Sequence, residues 1–156
     1  MLTQTYVTKK AGDPDPVPLF KFWVEMESIV VAEFKECSGL SVEREVEQVK
    51  EGGANHYVHI LPGRFKYTNI TLKHGIADPD ISATLWNWFQ EGIYDGKVTR
   101  VDLSIHLRNV EGEIVQRWNV TGAYPVKWQG PQFNTESSQV AIETLELAHH
   151  GLKLGD

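Results

Sequence analysis

The six histidines offer the most chemistry in this chain, and His56 with His59 is the closest pair outside the adjacent His149-His150. A zinc or iron centre takes several imidazole, thiolate or carboxylate ligands at characteristic spacings. His56 and His59, at a loop-to-strand junction, do not share a strand face, and no third ligand stands at a diagnostic spacing. No metal centre is expected. His149 and His150 end a strand, point their rings oppositely, and suit solvent or an interface. Glu43, Glu45 and Glu47 supply paired carboxylates, the equipment of glycoside cleavage. Such pairs converge across a cleft, however, whereas these repeat along one strand face. Serines are plentiful, but there is no Gly-x-Ser-x-Gly elbow, Walker loop or dinucleotide fingerprint. Asn69-Ile70-Thr71 and Asn119-Val120-Thr121 match glycosylation acceptors, which require a secretory route. The expectation is a non-enzyme without catalytic residues or cofactors.

Composition agrees with an ordinary folded domain. The chain has 156 residues, 41 % hydrophobic and 23 % charged, enough to bury roughly two thirds of its unfolded surface around one core. Its formal charge of −6 argues against nonspecific nucleic-acid binding, which needs a basic face. Cys37 is the only cysteine, so no intrachain disulfide can form and a core thiol is expected. The start, MLTQTYVTKKAGDPDPVP, lacks the apolar run of a secretory signal. No stretch approaches the roughly 20 apolar residues that span a bilayer, so membrane insertion is not expected. Synthesis in the cytoplasm follows, with release by another machine or by lysis.

The elements that position these residues are mostly strands. Residues 1–18, with Pro14, Pro16 and Pro18 alternating, form an N-terminal arm, and residues 19–156 a single β domain. Leu19 to Met26 alternates as a strand, and Ile29 to Phe34 is a second. Glu36 to Gly75 outlines an oversized hairpin, with a glycine-bearing loop from Val49 to His59, closed by Leu61-Pro62-Gly63, and a return arm from Arg64 to Lys73. Leu40, Val42 and Val46 make one apolar face of its first arm, which must be buried, and Ser41, Glu43, Glu45 and Glu47 the acidic one. Ile81, Leu85, Trp88 and Phe89 recur at helical spacing, which predicts a helix over about residues 80–91 with Gly92 as its stop and Leu85, Trp88 and Phe89 packing inward. Val101 to Leu107 and Ile114 to Thr121 form another hairpin. Gly122 to Trp128 reads as a bent edge segment because Pro125 cannot donate within a central strand. Gln139 to Leu147 is a last strand, where Glu143 and Glu146 suggest a bulge or a changed exposed face. The sum is a mainly antiparallel β-barrel or sandwich with one flanking helix.

A series of motifs then carries a resemblance. In order, these are Cys37-Ser38-Gly39-Leu40, Glu51-Gly52-Gly53-x-Asn55, Leu61-Pro62-Gly63-x-x-Lys66-Tyr67-x-Asn69-Ile70-Thr71-Leu72 and Leu85-Trp86-x-Trp88-Phe89. Trp118-Asn119, Pro125-Val126-Lys127-Trp128-x-Gly130-Pro131 and the run Val140 to His149 complete the set. From about Asp15 to Leu152 the chain resembles the tail tube proteins of contractile-tailed phages and extracellular contractile injection systems. One departure is His74, where the pattern implies a permanent cation.

The resemblance implies a structural inner-tube subunit that forms stacked hexameric rings around a lumen, with sheets of neighbouring copies joined. Its implied partners are further copies of itself, a sheath protein, baseplate and tube-capping proteins, and a cargo effector or DNA in the lumen. It assigns Val49, Glu51, Gly52, Gly53, Asn55 and His56 to contact with the adjacent ring, and allows Glu43, Glu45 and Glu47 either to line the lumen or to look outward toward a sheath. A phage virion tube conducting DNA and a secreted ring-forming effector chaperone of the type VI kind are the alternatives.

Overall fold

Alternation of apolar and polar side chains sets the strands. In the computed structural model, which describes residues 21–26, 31–50, 52–53, 56–76, 79–132, 136 and 141–155, β1 (Lys21–Met26) turns Val24 into the core with no exposed surface. Then come β2 (Val31–Phe34), β3 (Glu36–Ser38), β4 (Val42–Val49), β5 (His59–Tyr67) and β6 (Ile70–Gly75). Helix α1 (Pro79–Gln90) leads to β7 (Val101–Arg108), β8 (Ile114–Gln129), β9 (Ile142–Ala148) and β10 (Gly151–Leu154). The N-terminal arm lies outside the described residues.

The large sheet runs β2-β1-β7-β8-β9-β6-β3 through antiparallel neighbours. Its two ends are consecutive in the chain, separated only by Lys35, whose amide donates to the Lys73 carbonyl at 2.8 Å. β2 and β3 therefore act as one bent stave, against β1 at one end and β6 at the other, and the sheet closes into a barrel. β10 continues the β9 stave along β8, from Gly151 opposite Thr121 to Leu154 opposite Trp118. Closure removes the open edges that strands of this length would otherwise present.

Ile70, Leu72, Ile105, Leu145 and Leu147 fill the barrel, and Leu85 and Trp88 of α1 join their cluster. Each such side chain contributes about 1.5–3 kcal/mol on burial. Phe89 is half-buried, and Trp88 Nε1 donates to the Thr99 carbonyl at 3.1 Å. The helix starts at Pro79, earlier than the apolar spacing suggests, because a proline's fixed φ and missing N–H suit the first turn. It ends before Gly92, which takes a positive φ of 84°.

Two expectations need correction and a third is refined. Gly122–Trp128 is the second half of the 16-residue β8; among the described residues the β7 ladder stops at Ala123, so from Tyr124 on this half keeps β9 as its one neighbour and lies at an edge. Pro125 stays in register opposite Leu147, and the shift between it and Lys127 leaves Val126 as the bulged residue. The bulge expected at Glu143 and Glu146 is thus on the facing strand, and β9 alternates regularly with Glu143 buried. The return arm is two strands, β5 and β6, broken at Thr68-Asn69, and Leu61-Pro62-Gly63 lies inside β5 rather than closing the hairpin. There the ladder slips between Arg44 and Val46, and a Cβ on Gly63 would come within 2.8 Å of the Glu45 carbonyl oxygen. The irregularity takes Gly63 because only a residue without Cβ fits that close approach.

Candidate assembly interface

Among the described residues β4 and β5 pair only with each other and form a sheet of their own. Every residue of β4 is exposed, so the apolar face expected to be buried is not buried within this chain. Strand alternation and the ladder sort the arm into two faces. Val42, Arg44 and Val46 lie opposite Tyr67, Phe65 and Pro62, and Gln48 opposite Ile60. The Arg44 guanidinium covers the Phe65 ring at 4.2 Å, yet Val46, Ile60 and Phe65 keep 60 %, 63 % and 53 % of their surface open. Glu43, Glu45, Glu47 and Val49 make the second face, with Lys66 directly opposite Glu43.

At the tip Val49, Gly52, Gly53 and His56 are exposed, and Glu51 and Asn55 lie outside the described residues. Gly53 has a φ of +128°, and an added Cβ at Gly52 or Gly53 would meet nothing within 4 Å. Tyr57 packs edge-on against His59, ring centres 5.0 Å apart.

At the root, Gly39 takes a φ of +83°, and an added Cβ there would collide with the Asn69 carbonyl. Asn69 Nδ2 donates to Glu146 Oε1 at 2.7 Å. His149 stands between, Nε2 2.9 Å from the Thr68 carbonyl oxygen and Nδ1 3.1 Å from that of Gly151, its ring against Tyr67. His150 turns the other way, onto Arg100 Nη1. Sequence reasoning left His149 to solvent or an interface; its bridging role depends on the junction of β5 and β6, which no local pattern shows.

The barrel holds two further histidine clusters. His74 Nε2 lies 2.8 Å from Glu143 Oε2, an ionic contact by distance that lacks hydrogen-bond alignment. Ser82 Oγ of α1 donates to the same carboxylate oxygen at 2.9 Å. The signal for this pair was present, because His74 is in phase with Ile70 and Leu72, and Glu143 with Leu145 and Leu147. His106, buried on β7, accepts from Arg117 Nε at 3.1 Å and lies 3.7 Å from Glu25 Oε2. Burial first, then the Arg117 guanidinium, holds its pKa below the ordinary 6.5, with Arg108 adding and Glu25 opposing. Cys37 packs against the core, and burial pushes its thiol up to about 12. Among the described residues no group of three or more histidine, cysteine or carboxylate side chains is gathered for a metal.

The barrel thus carries a two-stranded arm whose apolar side chains it leaves open. The model of the T4-like virus tail tube protein gp19 family matches residues 18–153, and the chain belongs to that family. Its role is that of a structural tube subunit. It is similar to a chain of the PVC sheath-tube complex, an extracellular contractile injection system in its extended state, with 27 % identity, a TM-score of 0.78, and 90 % and 91 % of the two chains covered. It is also similar to a chain of the anti-feeding prophage tube terminating cap, with 25 % identity, a TM-score of 0.79, and 97 % and 98 % covered. A type six secretion system protein shares the fold alone, at 12 % identity, a TM-score of 0.61, and 86 % and 82 % covered. No match is found among curated proteins.

Proposed function

We propose that this chain builds hexameric rings that stack into the inner tube of a contractile injection system, around a lumen that passes cargo. The observation that carries the reading is the β4–β5 arm. A two-stranded hairpin exposed on both faces is marginally stable in water, and its open Val46, Ile60 and Phe65 need a cover. Further copies of the same chain supply it, because repeated heterologous contacts that close make rings and unlike faces of successive rings stack.

Val49, Glu51, Gly52, Gly53, Asn55 and His56 then meet the adjacent ring, where the two glycines permit close backbone approach. Glu43, Glu45 and Glu47 line the lumen and keep a polyanionic passenger off the wall. A sheath surrounds the tube, and baseplate and cap proteins close its ends. Synthesis is cytoplasmic, with the particle released by lysis or held in the host. Similarity at 25–27 % identity to chains of such particles favours an injection system over a DNA-conducting virion tail.

Negative-stain microscopy of the purified chain tests this reading. Sixfold rings or tubes are expected, and a monomer that persists at high concentration with sheath and baseplate present contradicts it.

A further inference from the structure

One imidazole of the barrel reaches the joint of the arm. The arm leaves the barrel by two linkers, 39–41 and 67–69, whose mutual hydrogen bond, from the Thr68 amide to the Ser41 carbonyl, is a long 3.4 Å. A joint of this kind leaves the arm's tilt weakly set. His149 comes from the β9–β10 junction and crosses to this joint: Nε2 lies 2.9 Å from Thr68 O, to which the tautomer protonated there donates, and Nδ1 lies 3.1 Å from Gly151 O. Its ring also lies 5.4 Å from that of Tyr67, which is half-buried where residues Ile60 to Lys66 are exposed.

We infer that His149 is a positioning residue for assembly, holding the β4–β5 arm at the angle at which it meets a neighbouring copy; this rests on the assembly reading above. The lever is long. An eight-residue strand at about 3.3 Å per residue spans roughly 26 Å, so a tilt of about 10° at the root moves the tip by roughly 4.5 Å. That is about one strand spacing, enough to lose pairing with a neighbour's strand. The ring thus decides assembly without touching the neighbouring copy. The other charged or titratable groups at the joint are Tyr67, Glu146 bound to Asn69, and His150 with Arg100. None of these is recorded bridging the Thr68 carbonyl, so His149 is the group to change.

The experiment compares the full chain with His149→Ala, which removes the bridge, and His149→Gln, which keeps an N–H donor. Hydrogen exchange is followed on dilute protein, and ring or tube formation by sedimentation and microscopy. In His149→Ala, amides of β4 and β5 exchange about tenfold faster, the scale of one lost hydrogen bond, while those of β6 and β9 stay protected and tubes are lost. His149→Gln restores both properties in part. Equal loss of protection in β6 and β9, or tubes in His149→Ala as abundant as in the parent, overturns the inference. A parent that forms no rings refutes the assembly reading instead, and the exchange comparison still judges whether His149 holds the arm.

Discussion

His74 and Glu143 face each other directly across the β6–β9 ladder, Nε2 2.8 Å from Oε2, with 5 % and 9 % of their side chains exposed. Ser82 brings α1 to the same carboxylate oxygen, so one buried ionic contact ties a strand pair to the helix. Where the family resemblance implies a permanent cation, this chain sets a side chain whose charge depends on its protonation.

Removing either side chain leaves the other a buried polar group with one partner fewer, at about 2–3 kcal/mol, the upper part of the usual cost. His74→Ala and Glu143→Ala are each expected to lose stability on that scale in denaturant unfolding of dispersed subunits. Replacing both with apolar residues of similar volume is expected to recover most of it. Single variants within about 1 kcal/mol of the parent would show that the contact is energetically idle.

His106 sets an acid limit. Its folded pKa is lowered, by burial first and by Arg117 next, from the ordinary 6.5 of the unfolded chain. The unfolded chain therefore binds more protons below that value, and stability falls as pH drops through 6.5 toward the folded pKa. A protonated Nε2 also loses its bond from Arg117 Nε. Denaturation midpoints between pH 7.5 and 5, measured for the parent and for His106→Gln, are expected to show a shallower decline in the variant; equal slopes would remove His106 as the cause.

Cys37 is expected to be a slow thiol. Burial raises its pKa from 9.0 to about 12, a difference of three units, so the thiolate population near pH 8 falls on the order of a thousandfold. Folded protein is expected to react with a thiol reagent that much more slowly than unfolded protein. Comparable rates would place Cys37 in an open environment.

The tip makes a separate prediction. Gly52→Val with Gly53→Val places β-branched side chains where each added Cβ meets nothing within this chain. Thermal unfolding of the subunit is expected to shift by no more than the strain at Gly53, whose φ of +128° suits glycine and costs another residue about 1–3 kcal/mol. Ring stacking is expected to stop. Tubes of normal length from the variant would take the tip out of the inter-ring contact.

Elements whose two faces differ in polarity were readable from periodicity alone: alternation of Val101, Leu103 and Ile105 marks β7, and helical spacing of Ile81, Leu85 and Trp88 marks α1. Legibility ended where long-range pairing decided the outcome. Pro125 sits where β8 has run past β7 and keeps β9 as its one neighbour, and the break at Thr68-Asn69 reflects β5 and β6 taking different partners. The arm misled for an instructive reason. Val42 and Val46 do form an apolar face, but alternation reports only that a face needs covering and not whether its cover is the same chain. His149 was legible as a residue type and not as a bridge, since Thr68 lies 81 positions away.

The arm's cover is the central claim, and a cryo-microscopy map of assembled tubes measures it most directly. The account expects Val46, Ile60 and Phe65 of every copy buried against a neighbouring copy, and the 49–56 tip seated on the adjacent ring. A map with these side chains facing bulk solvent, or with rings joined through other surfaces, would contradict it.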